Sequence, residues 1–85
     1  MLRIDKVYEN LFTVKLKLEG TLVGEWVSLL EQKILECLEN NKNVLLDFSE
    51  LRFVDEPGMQ MLRSMPPEKI EITNCPRFIE ELLKG

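Results

Sequence analysis

The chain of 85 residues contains no histidine, and that absence excludes a good deal of chemistry. Ser-His-Asp and Cys-His catalysis are impossible, and the commonest general base and the commonest zinc ligand are both missing. Only two cysteines occur, Cys37 and Cys75. Their separation fits no metal-ligand spacing, and in a reducing compartment they are expected as free thiols rather than a bridge. The four glycines, Gly20, Gly24, Gly58 and Gly85, are too scattered for a phosphate-cradling loop. No window concentrates Lys and Arg, and the formal net charge is −4 with a pI near 4.8, so nucleic acid is not an expected partner. No apolar run approaches the ~20 residues of a membrane helix. The first residues, Met1-Leu2-Arg3-Ile4-Asp5, lack a signal peptide's apolar segment. The expectation is a chain that stays in the cytoplasm without direct membrane insertion.

What is present is globular. Hydrophobic residues make up 45% and charged residues 31%, a balance that supports a packed core rather than disorder. The length suits one small domain over residues 1–85, with a small core and modest stability. Mild acidity also fits a chain that meets a basic partner surface.

Hydropathy then lays out the elements. Leu2 to Tyr8 is an irregular strand candidate, and Glu9-Asn10 is short enough to turn it into an antiparallel hairpin. Leu11 to Leu18, LFTVKLKL, alternates with Phe12, Val14, Leu16 and Leu18 on one face, which predicts a half-buried strand. Between Gly24 and Asn40 the period becomes helical, with Val27, Leu30, Ile34 and Leu38 on one stripe, and Asn40-Asn41 is a plausible stop. Asn43 to Phe48 has an unbroken apolar centre, which predicts a central parallel strand covered on both faces. Ser49 to Arg52 reads as a connection leading to Phe53-Val54 and a short helix, Pro57 to Met65, which Pro66-Pro67 must end. Lys69 to Thr73 alternates as a last strand. Pro76 to Leu83 reads as a last helix with Phe78, Ile79, Leu82 and Leu83 inward. The order β-β-α-β-α-β-α predicts an α/β fold with a mixed sheet.

The stretch FVDEPGMQML, Phe53 to Leu62, places two acids where a helix starts. Locally this is a well-built helix start. Asp55 can accept a hydrogen bond from a free backbone N–H such as that of Gly58. Glu56 and Pro57 occupy the first turn, where negative charge meets the positive end of the helix dipole.

The same residues carry a resemblance. Val44 to Met59, VLLDFSELRFVDEPGM, resembles the signature of STAS domains, the family of anti-sigma factor antagonists and of sulfate-transporter tails. That signature is an apolar strand, Asp-Leu-Ser, an apolar pair, then Asp-Ser-Ser-Gly-Leu opening a helix. The apolar positions, Asp47, Ser49, Asp55 and Gly58 coincide. The similarity extends to Gly20-Thr21-Leu22 and to the element order, and so covers nearly the whole chain, which is shorter than most members around the second helix. In the family, the serine after the second Asp is often phosphorylated. Unmodified, such a domain binds an anti-sigma factor, commonly a serine kinase, and phosphorylation breaks that contact. Here that position is Glu56, the following serine is Pro57, and a family acidic position before the first helix is Val23. Phosphorylation cannot switch the chain at Glu56. A glutamate carries −1 against about −1.5 to −2 for phosphoserine, so it is at most a partial mimic.

The resemblance implies a non-catalytic, regulatory protein-binding domain without cofactor. Its partner surface would comprise Gly20, Thr21, Leu22, Val23, Asp55, Glu56, Pro57, Gly58 and Met59, with Met59 the methionine expected to be exposed and Gly58 allowing close approach. Two alternatives stand beside it. One is an accessory STAS domain in a transporter or sensor assembly, binding a small ligand or lipid-linked partner. The other is a thiol-dependent enzyme at Cys75, near a helix start, which requires a depressed thiol pKa. Asp47 and Asp55 suggest a paired-carboxylate or magnesium site, yet no other residue completes one. Trp26 and Cys37 fit the margin of the first helix's core stripe. Thr21, Ser28, Ser49 and Ser64 are hydroxyls open to modification, none at the family's regulatory position.

Overall fold

A computed structural model describes residues 1–84. Its elements run β1 (Leu2–Glu9), β2 (Thr13–Leu22), α1 (Glu25–Glu39), β3 (Asn43–Val54), α2 (Glu56–Ser64), β4 (Ile70–Thr73) and α3 (Arg77–Lys84), in the expected order. One four-stranded sheet forms with the spatial order β1-β2-β3-β4. β1 is antiparallel to β2, whereas β2, β3 and β4 are mutually parallel. Helices α1 and α2 are the crossovers that parallel pairing requires. Every helix therefore begins just beyond the carboxyl end of a parallel strand.

Period-2 alternation decides which side of the sheet the helices cover. Val14, Leu16 and Leu18 of β2, and Val44, Leu46 and Phe48 of β3, are almost wholly buried, and they pack with Leu30 and Ile34 of α1 and with Met59, Leu62 and Ile79. Lys15, Lys17 and Glu19 lie on the opposite face of β2, which stays open. The expectation that β3 is covered on both faces is thus corrected. Leu45 is half-buried on the open side, flanked in register by Lys15 and Glu71. Long side-chain stems suffice to shelter it.

Three boundaries of β2 and β3 also differ from the sequence reading. β2 starts at Thr13, because the Asn10 Oδ1 accepts hydrogen bonds from the N–H groups of Phe12 and Thr13 at 2.9 and 2.8 Å and closes a turn there. Phe12 is left 71% exposed. At its other end β2 continues to Leu22, and β3 continues through the supposed connection Ser49 to Arg52, since Glu19 to Leu22 pair with Glu50 to Val54 across two register shifts. Such irregularities are bulges that accommodate twist. Asn41 takes the left-handed conformation (φ 61°) after α1, as expected of that stop. In α3 only Ile79 is fully buried, while Phe78 and Leu82 are about half exposed, because a two-turn helix at the edge of the layer has a narrow inner face.

Candidate protein-binding site

Leu22 and Val54 are register partners at the ends of the parallel strands β2 and β3. Asp55 follows directly. Its backbone is extended (φ −80°, ψ 176°), and its Oδ1 accepts the Gly58 N–H at 2.8 Å, the N-cap bond expected from sequence. Its Oδ2 accepts the Gly24 N–H at 2.9 Å. One carboxylate therefore holds the starts of α1 and α2 together. The Asp55 N–H in turn donates to the Leu22 carbonyl at 3.1 Å, tying the cap to the neighbouring strand. Gly24 has φ 56°, a conformation that aims its N–H at Asp55 and that glycine adopts without strain.

Gly58 shows how tightly this corner is closed. A Cβ there would sit 2.7 Å from Val54 Cγ1 and 3.1 Å from the Leu22 carbonyl oxygen. The close approach expected at Gly58 is therefore intramolecular, the first turn of α2 lying on its own strand ends. Met59 is only 2% exposed and Leu22 is fully buried, which corrects their placement among surface contacts. Helix α2 is pressed down so far that Gly58, Met59, Met61 and Leu62 all face inward. Gly20 is likewise set by the chain itself, with φ 109° and an added Cβ 2.3 Å from the Met1 carbonyl oxygen.

What reaches solvent at this end is a shorter set. Glu56 has 71% of its side chain exposed, with one Oε 3.8 Å from the Arg63 guanidinium. Pro57 is exposed, and Asp55, Thr21 and Val23 are half-buried. The Thr21 Oγ1 accepts a hydrogen bond from the Met1 ammonium at 2.8 Å. Phe53, missing from the sequence-derived set, is 52% exposed and pairs in register with Thr21. Alternation alone pointed to it, because Phe53 and Val54 are adjacent in a strand and only one of them can face the core.

The other candidates do not assemble into a reactive centre. Burial, and secondarily Glu80, pushes the Cys75 thiol pKa up, opposite to what thiol catalysis needs. Burial likewise raises Cys37, with Glu9 and Glu36 adding to it. Asp47 lies on the face away from the helices yet is only 9% exposed, and it accepts hydrogen bonds from the Ser49 N–H at 2.9 Å and the Asn74 amide at 3.2 Å. The Ser49 N–H holds its carboxyl below the usual range. Asp47 and Asp55 are thus satisfied separately, each by its own donors. Ser28, Ser49 and Ser64 are exposed, and the Ser64 hydroxyl donates to the Met61 carbonyl at 2.7 Å. Among the described residues no group of three His, Cys, Asp or Glu could hold a metal ion, and no helix is long and apolar enough to cross a membrane.

The fold that brings these helix starts together at the carboxyl ends of the central strands is found in known proteins. The anti-sigma factor antagonist SpoIIAA, solved in its unphosphorylated form, superposes with a TM-score of 0.79 at 17% identity, over 96% of this chain and 82% of its own. A protein named Mglu superposes with a TM-score of 0.66 at 12% identity, over 88% of this chain but only 20% of its own. At such identities the likeness is one of fold. No curated protein sequence matches the chain significantly. The model of the STAS domain family matches residues 4–66, so that the chain belongs to the STAS domain family.

Proposed function

We propose that the chain is a non-catalytic regulatory domain that binds another protein, an anti-sigma factor or a serine kinase of that type, in the cytoplasm. It docks through the start of α2 and the adjoining end of β2. The observation that carries this reading is the Asp55 carboxylate, which fastens both helix starts by backbone hydrogen bonds and leaves Glu56 projecting from a rigid corner. Rigid presentation lowers the ordering cost of association. Thr21, Val23, Asp55, Glu56, Pro57 and Phe53 form the contact surface, whereas Gly20, Leu22, Gly58 and Met59 shape it from beneath. Glu56 offers a permanent charge where the family often places a switchable one. The partner surface facing it is basic, and binding is regulated by something other than phosphorylation at this position.

The test is affinity capture from the source lysate with mass spectrometry, followed by titration of the captured partner. Baits are the wild type, Glu56→Ser and, as a control at the far end of α1, Glu39→Ser. Glu56→Ser is expected to change the dissociation constant by about threefold or more, roughly 0.7 kcal/mol, with Glu39→Ser unchanged. Equal effects of the two substitutions would sink the assignment of this surface. Failure of all three baits to retain an anti-sigma factor or serine kinase would sink the partner class.

A further inference from the structure

We propose that β1 is a self-pairing edge, through which two copies of the chain join antiparallel about Ile4 into one continuous eight-stranded sheet. β1 is an outer strand of eight residues, twice the length of β4 at the other edge. Among the described residues no strand pairs with its outer side, the condition that invites strand addition.

Hydrogen-bond parity limits how two copies can meet. The Thr21 N–H donates to the Met1 carbonyl at 2.9 Å, so Met1 and Thr21 form a hydrogen-bonded pair of the β1–β2 ladder. Antiparallel pairs alternate. Arg3 and Asp5 therefore also bond inward to β2, and Leu2, Ile4 and Lys6 direct their N–H and C=O groups to the open edge. In a symmetric pairing those three residues must lie opposite residues of the same set. That restricts the two-fold axis to Leu2, Arg3, Ile4, Asp5 or Lys6 over the regular part of the strand, and an axis at Leu2 overlaps only Met1 to Arg3 of the two copies, too few residues for a ladder. An axis at Arg3, Asp5 or Lys6 sets that charge against its own copy, which is destabilising. An axis at Ile4 sets Arg3 against Asp5 of the second copy, twice, and places Leu2 opposite Lys6 with their backbone groups bonded.

Charge on an edge strand normally deters pairing. Here the charges deter every register with a longer overlap except the one about Ile4. Arg3 and Asp5 already share one face, their side chains 3.0 Å apart and largely solvated, so the cross-strand pairs need little rearrangement. The same register places Met1, 84% exposed, toward Val7 of the second copy, 51% exposed, at the bulge where the regular part of β1 ends. Asp55 and Glu56 lie two strands away, beyond the end of β3. The inference rests on β1 alone and stands or falls independently of what binds at Glu56.

Sedimentation equilibrium of the full chain from about 1 to 500 μM is the direct test, with circular dichroism confirming that each variant is folded. The wild type is expected to dimerise within that range. Arg3→Asp, which sets Asp against Asp, should weaken the dimer at least tenfold, and Arg3→Asp combined with Asp5→Arg should restore it to within threefold. Separately, Ile4→Cys should oxidise to a dimer linked at position 4, since hydrogen-bonded antiparallel partners have Cα atoms about 5.5 Å apart, within disulfide reach. A wild type that is monomeric at the top concentration, a double exchange as weak as the single one, or an oxidised dimer of Ile4→Cys linked only through Cys37 or Cys75 would each overturn the proposal.

Discussion

At the carboxyl end of β2 and β3, Asp55 accepts hydrogen bonds from two backbone N–H groups that belong to different helices, 2.8 and 2.9 Å away. At the opposite end of the sheet, Glu9 meets Lys6 at 2.8 Å and also binds the Lys42 ammonium. Both are carboxylates closing a corner, but their partners differ in freedom. A backbone donor is fixed by the helix that carries it, so the Asp55 bonds define geometry. A lysine ammonium swings on four methylenes and keeps much of its hydration, so an exposed ion pair of this type holds its two elements loosely. The rigid corner is the one with Glu56 beside it. The loose one carries the turn with Leu11 and Phe12, which are 81% and 71% exposed.

The largest effect on this contrast should come from Gly58→Ala. In an ordinary helix interior this exchange stabilises by up to ~1 kcal/mol. Here the added Cβ meets Val54 Cγ1 at 2.7 Å and Asp55 Oδ1 at 3.1 Å, so a loss of about 1–3 kcal/mol is expected from overpacking. Urea denaturation reads the sign directly, and a gain in stability would mean that α2 is not seated as tightly on the strand ends as its geometry shows. Next is Asp55→Ala, which removes the N-cap bond and the Gly24 bond together, at a cost of about 1–3 kcal/mol. Asp55→Asn keeps one acceptor oxygen and should lose roughly half as much. Identical losses for Ala and Asn would show that only the charge mattered and that the two-helix clasp is not what holds the corner.

This corner also marks where the sequence stops being readable. The capping bond from Asp55 to Gly58 spans three residues and follows from local rules. The bond to Gly24 spans 31 positions and exists only because β2 and β3 are parallel and end level with each other. The full length of β3 is illegible for the same reason. Ser49 to Arg52 has no strand periodicity of its own, and it is extended because the end of β2 lies beside it. The alternation of Val14, Leu16 and Leu18 and the helical stripe of Val27, Leu30 and Ile34 were legible, since each reports a single buried face. The burial of Met59 escapes an amphipathic pattern, which assumes a helix lying on a flat layer. Helix α2 instead sinks its first turn into the gap that a residue without a side chain leaves at position 58.

The smallest effect should come from the loose end, and its pH dependence separates it from the rigid one. Lys42 and Lys6 hold the Glu9 pKa down to about 2, against an ordinary value of 4.5. A carboxyl whose folded pKa is depressed stabilises the fold above its unfolded pKa and loses that contribution as pH falls through the folded value. The stability difference between wild type and Glu9→Gln should therefore be constant above about pH 5. It should shrink as pH falls from 4.5 toward 2, which chemical denaturation at a series of pH values can follow. At neutral pH, raising the salt to about 1 M should shrink the same difference, because solvated pairs are screened, while the Asp55→Ala loss persists, its donors being uncharged amides. If salt erased both differences equally, Asp55 would be acting as an ordinary surface charge, and the distinction between a clasp of backbone bonds and a clip of ion pairs would fail.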